Sequence, residues 1–216
     1  MKRILFILSC CFVFATLSAQ QEEYKGFLLK NFEKGKVVYK NGDQFTESNF
    51  NYETIMEKML FMLPDSAIFE IARPDIVGVV VIGDRTFEHI NNGLFYERIK
   101  TGDDFLYVRW KSKVVSEGKS GPYGTKPGTA HIDNVTQTTS MGGVYSLKAR
   151  EDFKVAANNI YYIKQKNKFK RFDSFDGLAK QFKGHEKEIK KYVKQQNLSF
   201  KNPEDIKKAV EYSFGL

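Results

Sequence analysis

"VGVVVIGDRTFEHINNGLFYERIKTGDDFLYVRWKSKVV", residues 77–115, holds four runs of β-branched and aromatic residues separated by Gly83-Asp84, Asn91-Asn92-Gly93 and Thr101-Gly102-Asp103-Asp104. Each separator supplies the residues that tight turns require, and each is only two to four residues long. Parallel neighbours need crossovers of a dozen residues or more, so runs this closely spaced predict antiparallel pairing. The stretch therefore reads as a β-meander. Its first run, "VGVVVIG", is apolar on both faces, which predicts a mid-sheet strand with cover on each side. Residues 105–115 read as one continuous strand, with Leu106, Val108 and Trp110 on a core face. Phe105, Tyr107, Arg109 and Lys111 then share the opposite face. That second set is either a binding platform or a cross-strand packing partner for Tyr96 and Arg98, with packing the favoured reading.

The pattern extends in both directions. Upstream, "GKVVYKNGDQF" (35–45) is a hairpin signal around Asn41-Gly42. "MEKMLFML" (56–63) ends at Pro64-Asp65, and "AIFEIA" (67–72) ends at Arg73-Pro74-Asp75. Downstream, "NNIYYIKQKNKFKRFDSF" (158–175) alternates and predicts a last hairpin around Lys166-Asn167. The period then changes. Leu178, Phe182, Ile189, Tyr192 and Val193 recur at helical spacing, with Gly184 placed to divide the run. Asn202-Pro203-Glu204-Asp205 combines a capping side chain, proline at the first helical position and two acids in the first turn. Ile206, Val210 and Phe214 form the apolar stripe of the helix that follows. The expected fold is α+β: an antiparallel meander, rolled or sandwich-like, over 20–173, with a two- or three-helix unit over 174–216 packed on it.

Residues 1–19 carry the marks of an export signal. Lys2 and Arg3 precede an apolar run from Ile4 to Leu17, and Leu17-Ser18-Ala19 ends in a small residue suited to cleavage. The run is too short for the roughly 20 apolar residues of a membrane span. Ile7-Leu8-Ser9-Cys10 loosely resembles a lipobox, but acylation at Cys10 would leave too short an apolar region, so cleavage after Ala19 is preferred. Both cysteines, Cys10 and Cys11, fall inside this signal. The mature chain then has no disulfide, thiolate ligand or cysteine nucleophile, and its core alone must hold it.

Charge is uneven along the chain. Residues 164–216 hold 14 Lys and Arg against 7 Asp and Glu, whereas residues 20–163 are close to balanced. Lys180, Lys183, Lys187, Lys190, Lys191 and Lys194 crowd the helical tail. A lysine face of this kind suits a negatively charged partner or simply keeps the domain soluble. Export argues against nucleic acid and favours an anionic lipid, an acidic polysaccharide or an acidic envelope protein.

Catalytic signals are sparse. His89, His131 and His185 show no zinc-type spacing. Gly118-Lys119-Ser120 lacks the first glycine of a P-loop, and no nucleophile elbow is present. Glu97 with Asp103 or Asp104 is the carboxylate pair that glycoside hydrolysis would need. Residues 117–141, with four glycines and two prolines, form a long polar loop that is either loosely ordered or folded over the sheet. In the second case Tyr123, His131 and Asp133 would face a ligand beside Tyr107 and Arg109. The expected function is a non-enzymatic envelope protein that binds an anionic surface component, with Lys183, Lys187, Lys190, Lys191 and Lys194 as its electrostatic face and no metal or cofactor. Two alternatives are a carrier enclosing an apolar ligand in a curved sheet, and a hydrolase using loop acids and His131.

Phe32, Gly35, Val37, Gly42, Asn51-Tyr52, Met59-Leu60-Phe61, Arg85, Phe87 and Phe95-Tyr96-Glu97, with the ending "FDGLAKQFKGHEKEIKKYVKQQNLSF", follow a recurring pattern. It resembles a large class of exported proteins from Bacteroidota-type Gram-negative bacteria. The resemblance implies a periplasmic or outer-membrane-facing location and carries over no catalytic residue. Asp65-Ser66-Ala67 also resembles the short O-glycosylation signal of that group.

Overall fold

The computed structural model describes residues 26–46, 48–116 and 153–216. Among these, eleven strands form one open antiparallel sheet, two more form a separate ribbon, and three helices close the chain. The strands are β1 (Glu33–Tyr39), β2 (Gln44–Phe45), β3 (Asn49–Glu53), β4 (Lys58–Met62), β5 (Ile68–Glu70), β6 (Val77–Ile82), β7 (Arg85–Asn91), β8 (Leu94–Thr101), β9 (Asp104–Arg109), β10 (Ser112–Ser116), β11 (Phe153–Ala157), β12 (Ile160–Gln165) and β13 (Lys168–Phe172). The helices are α1 (Phe175–Ala179), α2 (Glu186–Gln195) and α3 (Pro203–Phe214). In space the main sheet runs β13-β12-β9-β8-β7-β6-β1-β3-β4-β5, with β2 added beside β1, and β10 pairs with β11. The fold is therefore an α+β meander.

Turn chemistry explains the tight connections. Asn92 and Gly93 both have positive φ (47° and 76°), as do Lys166 and Asn167 (47° and 61°), the combination whose twist matches flanking antiparallel strands. The helices begin as their sequences require. The Ser174 hydroxyl accepts from Gly177 N–H at 3.0 Å, and the Asn202 side chain accepts from Glu204 N–H at 3.1 Å with Pro203 opening α3. Gly184, at φ 95°, separates α1 and its following turn from α2.

One strand serves both halves of the sheet. β1 pairs with β3 through Glu33↔Phe50 and Lys34↔Asn49, then with β6 from Gly35↔Ile82 to Tyr39↔Val77. The change of partner falls at Gly35. A Cβ there would lie 2.4 Å from the Val81 carbonyl oxygen and 2.8 Å from the Phe50 ring, so only glycine fits this corner. Beyond it, β3 and β4 lie over the face of β6–β8, where Tyr52 stacks on Phe87 with centroids 5.9 Å apart. Phe50, Tyr52, Met59, Val80, Ile82, Phe87 and Phe95 fill this first core. The second core joins Leu106, Val108, Tyr161, Ile163 and Phe172 of the sheet to Leu178, Ile206, Ala209 and Val210 of the helices. Both cores sit on the same side of the sheet.

Three strand expectations change. Residues 105–115 are not one strand: the chain breaks at Trp110-Lys111, and β10 leaves the main sheet to pair with β11. Trp110, on the core face as its alternation predicts, packs between the two cores and donates its indole N–H to Glu97 at 2.5 Å. β6 does run mid-sheet, but only one of its faces is fully buried, through Val80 and Ile82, while Val79 and Val81 remain half-buried. Val38 pairs with Val79 and Tyr39 with Val77, so Gly78 is an extra residue that bulges the strand. Finally, Met56 and Glu57 belong to the β3–β4 turn rather than to the strand, with Glu57 at φ 59°.

The corner yields a prediction. Gly35→Ala should lower unfolding free energy by about 1–3 kcal/mol through overpacking against backbone, measured by urea denaturation, whereas at Gly42, with φ 96° and no neighbouring atom, the same change meets backbone strain alone.

Candidate binding surfaces

The strand register sorts the proposed site residues onto two separate surfaces. β9 places Leu106 and Val108 under α3, so Tyr107 and Arg109, one residue out of phase, lie on the opposite face of the sheet. Lys183, Lys187, Lys190, Lys191 and Lys194 all lie exposed on the helix layer. The two groups are not brought together. Tyr123, His131 and Asp133, with the 117–141 loop, lie outside the described residues, as do residues 1–19.

On the sheet face, Tyr107 is 3% exposed and is enclosed by its neighbours. Phe169 meets it edge-on at 4.9 Å, and its hydroxyl donates to Glu88 at 3.3 Å. Burial, followed by the Glu88 charge, pushes the phenol up to about 12, so it stays protonated. Tyr96 and Tyr162 stack at 5.1 Å, and burial together with their mutual hydrogen bond pushes Tyr96 up to about 12. Arg98 reaches Glu88 at 3.5 Å and lies over the Phe105 ring at 4.8 Å. Cross-strand packing accounts for Tyr107, as the alternation suggested: Arg98 is its register partner on β8, and Phe169, rather than Tyr96, gives its closest ring contact.

Arg109 is held differently. Its guanidinium forks onto Glu57 with distances of 2.5 and 2.7 Å, and Lys111 approaches the same carboxylate at 3.4 Å. This hydrogen bonding holds the Arg109 proton far above its ordinary range. The pair pins the β3–β4 turn to the end of β9 across 52 residues of chain. Glu97, a candidate hydrolytic acid, is likewise engaged: it is 5% exposed and accepts two bonds from Arg85, at 2.7 and 2.6 Å, besides the Trp110 bond. It is a buried, fully engaged anion, whereas Asp103 lies in the β8–β9 turn and Asp104 opens β9.

On the helix layer, Lys187, Lys190, Lys191 and Lys194 share one side of α2, while Ile189 is fully buried on the other. Lys190 meets Asp176 of α1 at 2.7 Å and lowers that carboxyl below its ordinary range. Lys183, Lys187, Lys191 and Lys194 make no ion pair among the described residues. His185 sits at the start of α2 with its ring 3.1 Å from Glu188.

Sequence reasoning missed Glu57, Glu88, Lys164 and Phe169. Their alternation is visible in the strand sequences, but their mutual contacts depend on which strands pair and in which register. Among the described residues no group of three or more His, Cys, Asp or Glu side chains is placed to hold a metal, and no helix is long and apolar enough to cross a membrane. A shallow cavity of about 460 Å³ lies by Lys34, Thr46, Ser48, Asn49 and Met62 at the sheet corner, away from both surfaces. In comparisons with known proteins, no family model, curated protein or solved structure matches the chain.

Two outcomes follow from these contacts. Glu57→Gln leaves Arg109, whose side chain is only 22% exposed, without its counter-charge, and should cost about 3 kcal/mol of stability in urea denaturation. His89 has both ring nitrogens buried without a partner and its ring 5.3 Å from Phe95. Burial first, then nearby Lys40, lowers its pKa, while Asp75 acts in the opposite direction. The unfolded chain thus takes up the proton first, so this stability is full above about pH 6.5 and is lost as pH falls toward the folded value. His89→Phe should flatten the loss of stability measured between about pH 7 and pH 5.

Proposed function

We propose that the protein is a non-enzymatic binding module of the cell envelope, exported and held against an anionic surface component by the lysine face of α2. The observation that carries this reading is the set Lys187, Lys191 and Lys194 on one side of α2, with Lys183 in the turn before it: all are exposed and free of acid partners among the described residues. The acids nearby, Asp176 and Glu188, are engaged by Lys190 and His185, which leaves these four lysines without acid partners among the described residues. Here Ile189 docks the opposite side of α2, and the Lys190–Asp176 bridge ties α2 to α1. The stripe is presented on a packed helix rather than a loose tail.

The expected strength is modest. Lysines close to an anionic membrane contribute about 1 kcal/mol each, so four give about 4 kcal/mol, a dissociation constant near the millimolar range. That suits reversible retention at a surface, and it would be screened by salt.

Flotation with phosphatidylcholine vesicles, with and without phosphatidylglycerol, tests the reading. The protein should float only with the anionic vesicles and only at low ionic strength. Changing Lys183, Lys187, Lys191 and Lys194 together to Glu should weaken binding about tenfold or more. Equal binding to neutral vesicles, or retained binding by the charge-reversed variant, would overturn it.

A further inference from the structure

The face of the sheet opposite the helices has a regular chemistry of its own. Register pairs Arg98 with Tyr107, Tyr107 with Tyr162, and Tyr162 with Arg171, so these four side chains form one row across β8, β9, β12 and β13. Two residues along each strand lies a second row: Lys100 paired with Phe105, and Lys164 paired with Phe169. In the first row two tyrosines lie between terminal arginines, and in the second lysines and phenylalanines alternate. Three strand spacings separate the ends of a row, about 14 Å.

The patch is strongly one-signed. Arg98, Lys100, Lys164 and Arg171 lie on it against Glu88, which is shared by Arg98 at 3.5 Å, Lys164 at 4.0 Å and the Tyr107 hydroxyl. Lys100 and Arg171 are exposed and make no ion pair among the described residues. The helices leave this face open, because α3 packs on the Leu106 and Val108 side of β8 and β9.

We propose that this sheet face is a second site, which binds an acidic oligosaccharide lying across β8, β9, β12 and β13. Its carboxylates would meet Arg98, Lys100, Lys164 and Arg171, and its hydroxyls would meet Tyr162 and Glu88. Charge complementarity selects a polyanion, and because the ring faces are already taken up by one another, by Arg98 and by Lys164, it selects one recognised through its carboxylates and hydroxyls rather than by stacking. Single-stranded nucleic acid fits less well. Bases need open ring faces to stack on, whereas Tyr96 and Tyr162 already stack on each other and Phe169 stands edge-on to Tyr96, Tyr107 and Tyr162. A lipid headgroup presents its charge at one point, whereas these cations are spread along rows about 14 Å long. The site is independent of α2, which lies on the other side of the sheet with the helix layer.

Calorimetric titration of the protein with a short oligogalacturonate tests it, beside the methyl-esterified oligomer and an oligothymidylate. Binding is expected for the acid and not for the ester. Lys100→Gln with Arg171→Gln, both exposed and without consequence for the core, should weaken it about tenfold or more, and Arg98→Gln should do the same. Lys187→Glu with Lys191→Glu should change it by less than about twofold, which separates this site from the α2 surface. No binding of the acid, unchanged affinity in the Lys100 and Arg171 variant, or tighter binding of oligothymidylate would each overturn the proposal.

Discussion

The close approach of β1 to both Val81 and Phe50 at Gly35 is the constraint on which the architecture rests. A single strand cannot hand over from β3 to β6 unless backbone and ring come within the space of a missing Cβ. Because it does, β3 and β4 can lie over β6–β8 and Tyr52 can stack on Phe87. The first core is thus closed by sheet, and the second, under Leu106 and Val108, is closed by helix. Both coverings fall on one side, which leaves the other side free for polar and aromatic side chains.

Three carboxylates organise the charges that this arrangement brings together. Glu97 gathers Arg85 and Trp110 between the cores, Glu57 gathers Arg109 and Lys111 at the β3–β4 turn, and Glu88 sits among Arg98, Lys164 and Tyr107 on the open face. Burial increases from Glu88 to Glu57 to Glu97. The more buried pairs specify geometry, since an unpaired charge there is costly. The less buried one leaves its cations accessible to an incoming anion. The α2 lysines belong to neither class, being exposed and outside any such network.

Much of the candidate chemistry could be read locally. The α2 lysines were legible because helical periodicity alone places Lys187, Lys191 and Lys194 on one side opposite Ile189. Tyr107 and Arg109 were legible as out of phase with Leu106 and Val108. Their surroundings were not, since Glu57 lies 52 residues from Arg109 and Phe169 reaches Tyr107 only because β12 inserts between β9 and β13. The break at Trp110 was hidden for a related reason: the residues on either side alternate perfectly, and the pairing that takes Ser112–Ser116 out of the sheet is with Phe153–Ala157, far along the chain.

The sequence by itself determined most strands of the meander, their turns and the start of α3, because these depend on φ preferences, capping groups and the alternation of neighbouring residues. It also determined the antiparallel class, since short turns admit no crossover. Tertiary structure alone decided the corner at Gly35, the departure of β10 to β11, the one-sided cover of the sheet and the rows of cations and rings on its open face. Those features arise from contacts between residues far apart in the chain. Their energies depend on register and burial, which no local window of sequence contains.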